Sequence, residues 1–86
     1  MNPYAFAVEQ AVLDVFAAAS ARQQRLVLDC FSRLAAHPFR EPDWVDHDDA
    51  SRTISVVLHD EWLISYWTDH AIRRVMIVEL ERVEGP

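Results

Sequence analysis

An α+β fold, with an N-terminal antiparallel helical hairpin packed on a three- to four-stranded, mainly antiparallel sheet, is what this sequence predicts. Three observations carry that expectation. Arg52 to Val83 alternates in the manner of three strands separated by short polar breaks. Ala21 to about Ala36 repeats its apolar residues at helical spacing. A meander with one apolar face cannot bury that face alone, so the first half of the chain must cover it.

Within the meander, Thr53–Leu58 is rich in β-branched residues and sets Ile54, Val56 and Leu58 on one side, Thr53 and Ser55 on the other. His59-Asp60-Glu61 interrupts the pattern before Trp62–Trp67, and Thr68–Ala71 interrupts it again before Val75–Val78. Breaks this short join antiparallel neighbours. On the central strand Trp62, Ile64 and Tyr66 share one face, while Leu63, Ser65 and Trp67 share the other, so both sides are apolar. One side is expected to face the helices and the other to leave an aromatic patch for a partner, unless Trp44 and its loop cover it. Regular alternation in the last strand would place Val75 and Ile77 on one face and Met76, Val78 and Leu80 on the other. Glu79 and Glu81 would then join Val75 and Ile77, so whether this strand is bulged decides where those two carboxylates go.

Upstream, Tyr4, Phe6 and Val8 alternate with alanines as in a short edge strand, yet Val8, Ala11, Val12, Val15, Phe16 and Ala19 also recur at helical spacing. A brief strand running into a helix from about Val8 to Ala19 accommodates both patterns. Ser20, with Gln23 three residues on, marks the start of the second helix. There Leu26, Val27, Cys30, Phe31, Leu34 and Ala35 form the apolar stripe, opposed by Arg22, Arg25, Asp29 and Arg33. The Arg25/Asp29 and Asp29/Arg33 spacings are worth about 0.2 to 0.5 kcal/mol each as surface pairs. Pro38 ends the helix by disfavouring helical geometry at His37. The two helical stripes are expected to pack on each other and on the sheet.

From Pro38 to Ser51 the chain reads as an irregular acidic surface connection, with five acids between Glu41 and Asp49. Trp44 is expected to fasten it to the sheet. Asp46, His47, Asp48 and Asp49 lack the glycine and distal glutamate of a hard-cation loop, and no other histidine has zinc-ligand spacing to His47, so no metal and no cofactor is expected.

Composition narrows the function. Residues 1–86, at 51% hydrophobic and 26% charged, read as one ordinary globular domain that buries roughly 60% of the surface its unfolded chain exposes. All eight basic residues are Arg, and against fourteen acids they leave a formal net charge of −6. That balance disfavours nonspecific polynucleotide binding. No apolar run is long enough for a membrane span, and Met1-Asn2-Pro3-Tyr4 lacks the basic flank of a secretory signal, so a cytoplasmic protein is expected. The single Cys30, inside an apolar stripe, reads as a buried thiol.

The order of these elements resembles that of the RelE/ParE superfamily of type II toxins. Leu34-Ala35-Ala36-His37-Pro38 looks like the end of that family's second helix, Trp62–Trp67 resembles its central strand, and Asp69–Ile72 with Val75–Leu80 resembles the hairpin into its last strand. The resemblance implies a small growth-inhibiting protein neutralised by a cognate antitoxin. Some relatives cut mRNA on the ribosome with Arg, Lys and a C-terminal Tyr or His; others inhibit DNA gyrase. Here the nuclease pattern fails, because Leu63 stands at the strand position where nuclease members often carry Arg, no Lys exists, and Glu84-Gly85-Pro86 supplies neither Tyr nor His. Arg82 alone matches a basic family position, and one Arg cannot hold a phosphate, activate a 2′-hydroxyl and protonate a leaving group.

A protein contact site is therefore expected at Trp62, Tyr66, Trp67, Arg74 and Arg82, residue types that dominate interface energetics. Its partner would be an antitoxin, a cellular protein target such as gyrase, or a second copy of the chain. The competing expectations are a non-toxic binding or regulatory module of the same fold and a ribosome-dependent endonuclease.

Overall fold

The structure is a computed structural model and describes residues 3–83. Strand β1 (Ala5–Val8) leads into helices α1 (Gln10–Ala18) and α2 (Ala21–Ala36), followed by strands β2 (Trp44–His47), β3 (Thr53–His59), β4 (Trp62–Asp69) and β5 (Arg74–Arg82). One sheet contains all five strands in the order β1-β5-β4-β3-β2, with β1 parallel to β5 and the other pairings antiparallel. The expected three or four strands become five because Trp44–His47, read as part of an irregular connection, pairs with β3 through Trp44↔Val56 and His47↔Thr53. All four β2 side chains are exposed, so this edge strand lacks the half-buried alternation that would have revealed it.

Ser20 caps α2 as its position predicts: its hydroxyl oxygen accepts from the Gln23 N–H at 3.2 Å. The Phe16 carbonyl at the end of α1 accepts from the Ala19 N–H at 3.1 Å and from Gln24 Nε2 at 3.0 Å. Asp29 pairs with Arg33 at 3.0 Å on the exposed side of α2. Beneath, Val27, Cys30, Phe31, Leu34 and Ala35 are buried as their periodicity requires. Helix α1 departs from expectation, since Val12 is its one buried residue and Val15 is exposed. Both helices lean on the sheet, α1 on β5 and α2 on β1 and β5, and touch each other sparingly.

Directly paired residues share a sheet face, which assigns every inward side chain. Val57, Ile64, Tyr66, Ile77 and Leu80 join Val75 and Trp62 beneath the helices. Ile54, Val56 and Leu58 occupy the opposite face of β3. Ile54 and Val56 are nevertheless buried there, so the helix-free side of the sheet has its own apolar floor.

The last strand is bulged. Ser65 pairs with Glu79 but Tyr66 pairs with Ile77, leaving Val78 with no opposite residue. The extra residue resets the alternation, so Leu80 follows Ile77 inward while Glu79 and Glu81 turn outward. Regular alternation would have exposed Leu80 and turned Glu79 inward, at the cost of burying a carboxylate. Leu80→Ala is expected to lower the unfolding free energy by about 2 to 5 kcal/mol. Val78→Ala, on the half-buried outer side, should remove about 1 kcal/mol. Urea denaturation of the two variants measures both effects, and equal losses would contradict the bulged register.

Candidate functional site

Alternation along β4 divides the expected contact residues. Trp62 and Tyr66 point under the helices and are 3% and 5% exposed, so they offer a partner no surface and belong to the core. The Trp62 indole N–H donates to Gln23 Oε1 at 2.6 Å, and Gln23 Nε2 donates to Glu61 Oε1 at 3.0 Å. Arg82 donates to the same Glu61 oxygen at 3.0 Å, with its guanidinium 6.0 Å from the centre of the Trp62 ring. This chain of bonds fastens the start of α2 to the β3–β4 turn and the end of β5. Arg82, the one basic position that suggested nuclease chemistry, is thus engaged in a structural ion pair.

Tyr66 is buried among Cys30 and the inner strands, and desolvation pushes its phenol above its ordinary value of 10.0; the Arg40 guanidinium opposes the shift. Burial likewise pushes the Cys30 thiol up, away from the thiolate form a nucleophile needs.

Trp67 and Arg74 lie on the helix-free face. The Arg52 guanidinium sits 4.2 Å from the centre of the Trp67 ring, a cation–π contact. Nearby, Ile54, Val56, Ser65 and Val78 floor a depression of about 280 Å³. Its rim carries Glu9, Asp46, Asp48 and Glu79 against Arg52 and His47, a charge balance that repels phosphates. The acidic connection is built for its own turn: Asp48 Oδ1 accepts from the N–H groups of Ala50 and Arg52 at 3.0 and 2.8 Å. Among the described residues no group of three or more His, Cys, Asp or Glu is placed to hold a metal ion. No helix among them is long and apolar enough to cross a membrane.

A larger groove, about 1000 Å³, opens between β1 and the last turn of α2. Phe6, Ala35, Ala36 and Phe39 supply apolar walls. Phe39 is 77% exposed and stacks on His70 with ring centres 4.9 Å apart and planes 5° off parallel. Tyr4 packs edge-on against both rings, and its hydroxyl is hydrogen-bonded to His70 Nδ1 at 2.8 Å. No periodic pattern in the sequence brings Tyr4, Phe39 and His70 together. The cluster's one local signal was Phe39, a large apolar residue set in a polar connection just after a helix stop.

With this geometry established, the solved structures place the fold. The chain superposes on a chain of the RelBE2 toxin-antitoxin complex from Mycobacterium tuberculosis with a TM-score of 0.76, at 14% identity, covering 94% of this chain and 99% of the other. It has a RelE-like fold. A chain of the archaeal RelE-RelB complex from Pyrococcus horikoshii gives 0.72 at 10% identity, with 95% and 96% covered. No protein-family model and no curated protein sequence matches the chain.

Two outcomes follow. Gln23→Leu strands the buried Trp62 indole N–H and is expected to destabilise by about 1 to 3 kcal/mol. Arg82→Ala, which breaks a half-exposed pair, should stay below about 1 kcal/mol in the same denaturation series. Because the folded Tyr66 pKa exceeds the unfolded one, its contribution to stability is complete below pH 10 and is lost as pH rises through the folded value. Unfolding free energies measured between pH 9 and pH 12, beside a titration of tyrosinate absorbance, check that decline.

Proposed function

We propose that this chain is the toxin of a type II toxin-antitoxin pair, acting through protein contacts and neutralised by a cognate antitoxin. The observation that carries the reading is the end-to-end match of its fold to chains of two toxin-antitoxin complexes, with 99% and 96% of those chains covered. A contact mechanism is favoured over RNA cleavage by the acidic rim of the helix-free face and by the engagement of Arg82 with Glu61. On that face Trp67 and Arg74 are the residues we assign to the cellular target. An aromatic residue with a neighbouring Arg provides large contact area and directional bonding in one patch.

Controlled expression in a bacterial host is the test. Growth should stop on induction and resume when the product of the adjacent open reading frame is made at the same time. Purified protein added to translating ribosomes should leave mRNA intact. A Trp67→Ala, Arg74→Ala double variant that retains its far-UV circular dichroism should no longer arrest growth. Unimpaired growth with abundant folded protein would instead identify a binding module of the same fold.

A further inference from the structure

The depression on the helix-free face holds more acid than its own arginine neutralises. Register sets Asp46 opposite Ile54 and Glu79 opposite Ser65, so both carboxylates stand on the same side of the sheet as the apolar floor. Glu9 joins the rim from just beyond β1 and Asp48 from just beyond β2. Arg52 is drawn over Trp67, and among the described residues no ion pair joins it to any of these carboxylates. Two of them are fixed in advance. Asp46 Oδ1 accepts from the His47 N–H at 2.8 Å, and Asp48 Oδ1 is held by the Ala50 and Arg52 amides, so little ordering is left for a partner to impose.

Beneath the rim the surface is apolar. Ile54 and Val56 are buried and Val78 is half-buried, although no helix covers them. At about 280 Å³ the depression falls just below the roughly 300 to 1,000 Å³ of pockets that enclose a whole small molecule. An apolar floor under an acidic rim is the complement of a lysine or arginine side chain, whose methylene stem lies along apolar surface while its cationic head stays at the wet edge. A nucleic acid would bring phosphates to the same carboxylates, and a wholly apolar segment would desolvate them without a partner.

We infer that this face docks a basic protein segment, with the stem of a Lys or Arg on Ile54, Val56 and Val78 and its head group bonded to Glu79 and Asp46. The inference rests on the toxin reading above and supplies the chemistry of the target segment. Arg52 both lines the depression and covers Trp67, so the site is continuous with the contact residues already assigned to the target.

The test uses the purified chain, a fluorescently labelled peptide of alternating lysine and valine, and induction in a bacterial host. The peptide should bind, and its analogue with glutamate in place of lysine should not. A Glu79→Gln, Asp46→Asn double variant, in which the Asn oxygen can still accept from the His47 N–H, should weaken peptide binding about tenfold and relieve growth arrest. An Asp14→Asn, Asp29→Asn double variant removes as much charge from the helices and should bind and arrest growth as the unaltered chain does. Circular dichroism confirms the fold of each variant. Spermidine or single-stranded RNA that binds as tightly as the peptide would overturn the assignment to a protein segment. Growth arrest that persists in the Glu79→Gln, Asp46→Asn variant overturns the docking site and leaves the toxin reading standing. If induction leaves growth unimpaired while that variant alone loses the peptide, the docking site holds and the toxin reading fails. If there is neither arrest nor peptide binding, both fail.

Discussion

Strand β5 bears on almost every other part of the molecule. It is hydrogen-bonded to β1 on one side and β4 on the other, and both helices rest on it. Its inward residues Val75 and Ile77 are fully buried. For a strand of nine residues to keep one apolar face from end to end, the sequence RVMIVELER must be read with a break in its alternation, and the bulge at Val78 supplies it. The register of β4 follows, because Ile64 meets Leu80 and Tyr66 meets Ile77 only across that bulge. Complete burial of an aliphatic side chain contributes about 1.5 to 3 kcal/mol, and burial of a lone carboxylate costs far more, so the bulged register prevails.

The same strand separates two surfaces of different character. On the helix-free side, Glu79 joins Glu9, Asp46 and Asp48 around an apolar floor, with Arg52 held over Trp67. On the β1 side, Tyr4, Phe39 and Arg73 line an apolar groove in which, among the described residues, no carboxylate takes part, and His70 stacks on Phe39. Arg73 links this surface to the sheet, since its carbonyl receives the first hydrogen bond of β1. It does so with a φ of 53°, left-handed geometry that a non-glycine residue adopts at an energetic cost. The β4–β5 turn offsets that cost locally, with Asp69 Oδ1 accepting from the Ala71 and Ile72 amides.

Trp62 and Arg82 illustrate how a residue type can mislead about its role. Tryptophan and arginine are frequent in binding sites, and both were reasonable contact residues on composition. Gln23 draws them into a structural network instead, linking the indole, Glu61 and the guanidinium across α2, β4 and β5. The nearest residue of that network to Gln23 in sequence is 38 positions away, so no local pattern could have announced it.

By itself the sequence determined the elements whose periodicity is strong and local. The capped start of α2 at Ser20, its buried stripe from Val27 to Ala35, and the three alternating strands of the meander all follow from side-chain spacing. It also determined the acidic balance and the absence of Lys, which argued against polynucleotide binding. Tertiary structure decided what depends on pairing. It made a strand of the exposed segment Trp44–His47, because β3 offered an edge to pair with. It turned Leu80 inward and Glu79 outward, because a bulge cannot be read from one strand without its partner. It brought Tyr4, Phe39 and His70 together from three separate stretches to border the groove. Periodicity records which face of an element is apolar; only the packed sheet decides which of those faces meet one another and which are left for a partner.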